Sequence, residues 1–312
     1  MKNITKIVVS LIVSLALSTS AFAGALSVTG SAKATYSTLS GKANGGNTLG
    51  VANELGFAAT GELDNGWTWN YAIALDPDTT AAGGNALNDD SKLTLTTDYG
   101  TFAVCASDCG LSAAGDFNAN AYAWITDTGY AEGKIEPVNI SSYMNMQYHT
   151  PAGLLPFGIV AKIGYAGSGD TSLQSSNANN VSRSSTVGAT TMYRVEAKPI
   201  DGLAVTASFA EQDGAIVAGV TDEQKSESGA ISAKYSAGSF TVGLGKTWVA
   251  PRLANFSGAV GATTVESYEA TNISVGFVVN DSLSVSFSDE SSEPTYATST
   301  TAAYDQETQS IQ

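Results

Sequence analysis

The chain of 312 residues carries 14 basic and 29 acidic side chains, a formal net charge of -15, one histidine and two cysteines. Nucleic acid is excluded as a partner, because phosphate binding needs a basic patch and none is evident. A composition rich in Gly, Ser, Thr and Ala, with only 14% charged residues, argues against a helical or α/β enzyme and for an all-β exported protein.

Met1 to Ala23 reads as a secretory signal: Lys2 and Lys6, an apolar run from Ile7 to Leu17, and Ala21-Phe22-Ala23 as the cleavage site. The run is too short for a bilayer, which needs about 20 residues, and no later stretch approaches a transmembrane helix. Residues 24–312 form the expected mature chain. Losing the two signal lysines takes the net charge from -15 to -17 (-15 minus 2).

Strands follow one another from there. Leu26, Val28, Gly30, Ala32, Ala34 and Tyr36 alternate with Ser27, Thr29, Ser31, Lys33, Thr35 and Ser37. The stretch Leu49 to Leu75 is a hairpin. Leu49, Val51, Leu55, Phe57 and Leu63 share one face of its first arm, and Trp67, Trp69, Tyr71, Ile73 and Leu75 one face of the second. Asp64-Asn65-Gly66 between them predicts a type I′ turn. Leu93 and Leu95 alternate with Lys92, Thr94 and Thr96, and Phe102 and Val104 begin the return.

Alternation stops from Ala106 to Ser141, a length that is unusual for a structureless loop and points to function. Cys105 and Cys109 stand at its root. In an oxidising compartment a small disulfide loop is expected, with a free pair as the alternative. A metal site is disfavoured, because His149 is remote in sequence and no second Cys pair exists.

The pattern resumes with Met144, Met146 and Tyr148 against Tyr143, Asn145, Gln147 and His149. It continues through Phe157 to Tyr165, Tyr193 to Ala197, Leu203 to Phe209, Ile231 to Tyr235, Phe240 to Leu244, Ile273 to Val279 and Leu283 to Phe287. Tight turns alternate with long polar connections, as in an up-and-down meander, and no composition shift marks a second domain.

About thirteen such strands each carry one greasy face and one face of Ser, Thr, Ala, Gly and Asn. A soluble fold would set a charged surface opposite its core. This chain sets a weakly charged, hydroxyl-rich face there, which suits a wet lumen. Aromatics near both strand ends fit interface girdles. The expected fold is therefore all-β, a transmembrane antiparallel up-and-down β-barrel. Gln306 to Gln312 starts a fourteenth strand. An open edge cannot face hydrocarbon and bacterial barrels close on an even count, so the chain is expected to stop short of closure.

In these features the chain resembles the general diffusion porins of Gram-negative outer membranes, of the alphaproteobacterial type, over its whole length: signal segment, first alternating strand, meander rhythm and an extended third long loop. The resemblance implies sixteen strands when complete, three barrels per assembly, and a third external loop folded inward to narrow the pore. It also implies a C-terminal phenylalanine, whereas this sequence ends at Gln312. Residues 106–141 hold the position of the constricting loop.

The family sets loop carboxylates against basic wall residues. The candidates are Asp116, Asp127, Glu132 and Glu136 on the loop, and, by lumen parity, Lys33, Lys92, Lys162, Arg194 and Lys198 on the wall. Opposed rows of charge make a transverse field that passes polar solutes and hydrated ions. A disulfide between Cys105 and Cys109 would fix the loop's approach, and the small outward residues Gly30, Ala32 and Ala34 suit trimer packing.

The expected function is passive diffusion of ions and small hydrophilic solutes through an outer-membrane channel, with mild cation preference. The alternatives are a substrate-selective channel, for which Tyr143 is the only strong lumen aromatic, and a structural or adhesive barrel. Expected partners are outer-membrane lipid, lipopolysaccharide and two further copies of the chain. No catalytic set can be named around His149. No cofactor is expected beyond a divalent cation at the acidic loops.

Overall fold

The computed structural model describes residues 22–36, 49–75, 90–106, 108–119, 137–167, 188–214, 216–217, 220–221, 225–251, 265–281, 283–296 and 306–311. Most of the signal segment and most of the long connections lie outside the described residues. Two compact units divide the chain, Met1–Asp108 and Cys109–Gln312.

The first unit holds β1 (Phe22–Tyr36), β2 (Leu49–Glu62), β3 (Thr68–Leu75), β4 (Asp90–Thr97) and β5 (Gly100–Ala106). Each pairs antiparallel with the next. The registers keep like parity together, with Phe57 opposite Ile73 and Leu93 opposite Val104.

The β2–β3 turn departs from the expected type I′. Only Gly66 has positive φ (82°). The Gly66 N–H donates to Leu63 O at 2.8 Å, and Leu63 N–H donates to Trp67 O at 2.7 Å. The Asn65 side chain accepts from Trp67 N–H. This is the three-residue loop with glycine in the left-handed bulge position. An extra residue before Asn-Gly moves the positive φ to the glycine alone.

The second unit holds β6 (Asn145–His149), β7 (Val160–Ala166), β8 (Thr190–Ile200) and β9 (Leu203–Gln212). A two-residue-per-arm hairpin, β10 (Ile216–Val217) and β11 (Val220–Thr221), interrupts the meander. It continues with β12 (Ser226–Ala237), β13 (Phe240–Ala250), β14 (Val265–Asn280), β15 (Leu283–Tyr296) and β16 (Gln306–Ile311). Again every pairing is antiparallel between successive strands, β9 joining β12 across the small hairpin.

Two further details differ from what the alternation predicts. β15 runs on to Tyr296 where a loop was expected, because its backbone keeps pairing with β14 after the apolar residues end, Thr295 opposite Ser267. Pro294 is tolerated there because, among the described residues, it is paired on the β14 side alone, the pairing of β15 with β16 ending at Ser292. Phe157, expected on a strand, sits instead in the 3-10 turn Pro156–Gly158 at φ 59°.

Burial is inverted relative to a water-soluble sheet. On β13 Phe240, Val242 and Leu244 are exposed while Gly243, Gly245 and Thr247 are buried. On β15 Leu283, Val285 and Phe287 are exposed while Ser286, Ser288 and Ser292 are buried. The outward face also carries Ile163, Tyr165, Tyr193, Val195, Ile231 and Ile273, and a tilted Phe240–Phe277 pair 4.5 Å apart. Apolar side chains on the outside are favourable only against an apolar surrounding.

Candidate functional site

What buries the hydroxyl face is a piece of the same chain. Residues 109–119 and 137–143 lie on it, across β7 to β14. Leu111 and Ile140 pack with Ala166, Met192 and Ala210, the lumen-parity residues of β7, β8 and β9, flanked by Val138 and Tyr143. Ala113 and Ala114 pack on Ala230 of β12. Phe117, 1% exposed, covers two glycines of β13. A Cβ at Gly243 would stand 1.6 Å from Phe117 O, and one at Gly245 would stand 2.7 Å from the Phe117 ring. Only a bare backbone admits the segment so closely.

The wall holds this segment mainly by its backbone. Serine hydroxyls accept from three of its N–H groups: Ser208 from Ala113, Ser274 from Ala119 and Ser228 from Val138, each at 2.9 Å. The Ser232 hydroxyl donates to Ala113 O at 2.6 Å. Within the segment, Asn139 Oδ1 accepts from Leu111 N–H at 3.0 Å and joins its two ends. These bonds satisfy backbone groups that would otherwise be buried without partners.

Arg194 supplies the charged link. Its Nη1 donates to Ser112 O at 2.7 Å, its Nη2 meets Asp116 Oδ2 at 2.5 Å, and its Nε meets Glu196 Oε1 at 2.6 Å. Lys162 Nζ donates to the same Glu196 oxygen at 2.7 Å. Strand register explains the grouping: His149 on β6 stands opposite Lys162 on β7, which stands opposite Arg194 on β8. Glu196 lies two residues along β8, on the same face. Lys234 Nζ reaches Asn118 O at 3.5 Å from β12.

His149 Nε2 bonds Gln147 Oε1 at 2.8 Å, and Gln147 Nε2 donates to Cys109 O. The single histidine thus belongs to a polar chain that ends on the segment's root. Both cysteines, the only two in the sequence, are disulfide-bonded. Cys109 holds φ 65°, a left-handed conformation that non-glycine residues seldom adopt.

Of the sequence candidates, Asp116, Lys162 and Arg194 come together in this one cluster. Lys92 stands in the first unit, bonded to Asp108 at 2.9 Å. Lys198 is exposed near the end of β8. Lys33 lies in β1, with its side chain outside the described residues, and Asp127, Glu132 and Glu136 lie outside them altogether. Sequence reasoning missed Glu196 and Lys234, although both have the lumen parity that selected the other wall residues. It also missed the serines and Gly243, for which alternation gives no signal. Among the described residues no group of His, Cys, Asp and Glu is arranged to hold a metal.

The family model described as Gram-negative porin matches residues 9–311. No curated sequence matches the chain. Salmonella typhi OmpF, in a complex with daunomycin, is similar in structure at 15% identity and a TM-score of 0.55, covering 90% of this chain and 82% of that one. Vibrio cholerae OmpT in its trimer form gives 14% identity and 0.55, with 90% and 81% covered. A mutant of Rh. blastica porin gives 14% and 0.54, with 92% and 94% covered. At such identities the likeness is one of fold.

Proposed function

Because the chain belongs to the Gram-negative porin family, and is thus an outer-membrane β-barrel channel protein, we propose that it passes ions and small hydrophilic solutes by passive diffusion through a water-filled lumen narrowed by residues 106–141. The observation that carries this reading is the segment bound to the hydroxyl face through Arg194 and Asp116. Such a segment reduces the cross-section of any path along that face while leaving it polar.

Serine, threonine and asparagine side chains exchange hydrogen bonds with a solute's hydration shell at little cost, whereas an apolar solute gains nothing there. Asp116, with Asp127, Glu132 and Glu136, is assigned to the loop side of the constriction. Lys33, Lys92, Lys162, Arg194 and Lys198 are assigned to the wall. The acidic balance of the whole chain, -15, favours mild cation preference.

The functional unit proposed is a homotrimer embedded in lipid and lipopolysaccharide. Its support is the trimer form of the similar OmpT and the small outward side at Gly30 of β1. The test is single-channel recording of the full chain in a planar bilayer under a KCl gradient. Persistent steps in groups of three, with a reversal potential of cation sign, are expected. Silence from inserted, heat-modifiable protein would overturn the channel reading, and an anion-sign potential would overturn the preference.

A further inference from the structure

We propose that Glu196 keeps the basic wall from opposing this channel's charge preference, by cancelling Lys162 and Arg194 from within its own strand. The inference rests on the channel reading above. Sequence parity suggests a positive row facing a negative loop, the arrangement that would produce a transverse field. The side chains do something else. Lys162 and Arg194 are direct cross-strand partners, and like charges so placed repel. Glu196 Oε1 accepts from both, at 2.7 Å and 2.6 Å. The wall pair is therefore half-compensated before the segment contributes anything.

Asp116 completes the balance. With Arg194 committed to Asp116, Glu196 and the Ser112 carbonyl, the cluster holds two cations and two carboxylates and has no net charge. Arg194 is spent on anchoring; its side chain is only 11% exposed. Lys162, at 21%, is the cation nearer to water, and Glu196 is what neutralises it. A passing ion meets a neutral cluster here, and the acidic remainder of the chain decides the sign of selectivity. Loss of Glu196 alone would restore a net positive wall.

The experiment compares the parent protein with E196Q, K162Q and the double variant in planar bilayers under a KCl gradient at about 0.1 M, where exposed charges are incompletely screened. The cation-to-anion permeability ratio is expected to fall roughly threefold in E196Q, the size of one unit charge bordering a watery path. It should rise in K162Q and return to the parental value in the double variant. A parental ratio in E196Q overturns the proposal, whatever K162Q shows. Should E196Q not insert, an unchanged ratio in K162Q overturns it equally. A parent that opens no steps overturns the channel reading itself, whereas parental steps with unchanged ratios count against Glu196 alone.

Discussion

Arg194 holds the inner segment at Asp116 and at the Leu111 and Ser112 carbonyls, and its own strand at Glu196, all from one guanidinium. Its planar fork is suited to that, and a lysine is not. Truncation in R194A should release residues 111–116 from β8. Unit conductance and open-channel noise are expected to rise. Stability should drop by about 1–3 kcal/mol, less than for a fully buried pair, because Asp116 and Glu196 keep about a third of their surface in water. Urea titration of the heat-modifiable band measures the second effect and bilayer recording the first; unchanged conductance would show that the segment does not depend on this residue.

At this scale the sequence was partly readable. Parity picked Lys162 and Arg194, and the same parity marks Glu196 and Lys234. A scheme with cations on the wall and carboxylates on the loop hides Glu196, because a strand can carry both signs two residues apart, whereas Lys234 satisfies the same test as Lys162 and Arg194. Gly243 was beyond reach, because its meaning depends on Phe117, which lies far along the chain.

Among the elements, periodicity located the strands well and their ends less well. The alternation test stops when apolar side chains stop, yet backbone pairing between β14 and β15 continues through Glu269, Ser291 and Glu293. Turn chemistry was similarly half-visible. Asn65-Gly66 named the turn's place, and the hydrogen bonds between Leu63, Gly66 and Trp67 decided its type. The segment from 106 to 141 announced itself only by lacking a pattern. Three of its N–H groups are received on β9, β12 and β14, by one serine each. Replacing all three in S208A/S228A/S274A should cost about 1 kcal/mol per site while leaving the strands paired. The expected result is a lower unfolding midpoint and a broadened distribution of conductance steps, with an unchanged far-ultraviolet β signal. A sharp parental conductance would show that the hydroxyls are dispensable.

At the scale of the molecule, inversion among the described residues of β7 to β15 is the decisive property: the apolar side chains face out and the hydroxyls face in. It is legible in the alternation of the longer strands, whose opposite face is too weakly charged for a water-soluble shell. The inversion predicts an asymmetry between neighbouring residues of β13. L244R places a charge on the outward face and should cost about 2–4 kcal/mol if that position lies near the bilayer midplane. T241K, one of the inward parity, should cost much less. Folding yields into lipid vesicles would separate the two, and equal yields would contradict the assignment of faces.

The way the wall holds its inner segment has a consequence for variation. Ser208, Ser228, Ser232, Ser274, Arg194 and Lys234 all grip main-chain atoms of residues 112–119 and 138. Peptide groups are common to all residues, so these hydrogen bonds are indifferent to the side chains that the segment carries. The side chains are read separately, by packing and by charge: Phe117 over its glycines, Asp116 on Arg194, Leu111 and Ile140 on Ala166, Met192 and Ala210, and Ala113 and Ala114 on Ala230. Gly115, where an added Cβ would meet open space, is the position an engineer can rewrite so that a new side chain inherits the old backbone path.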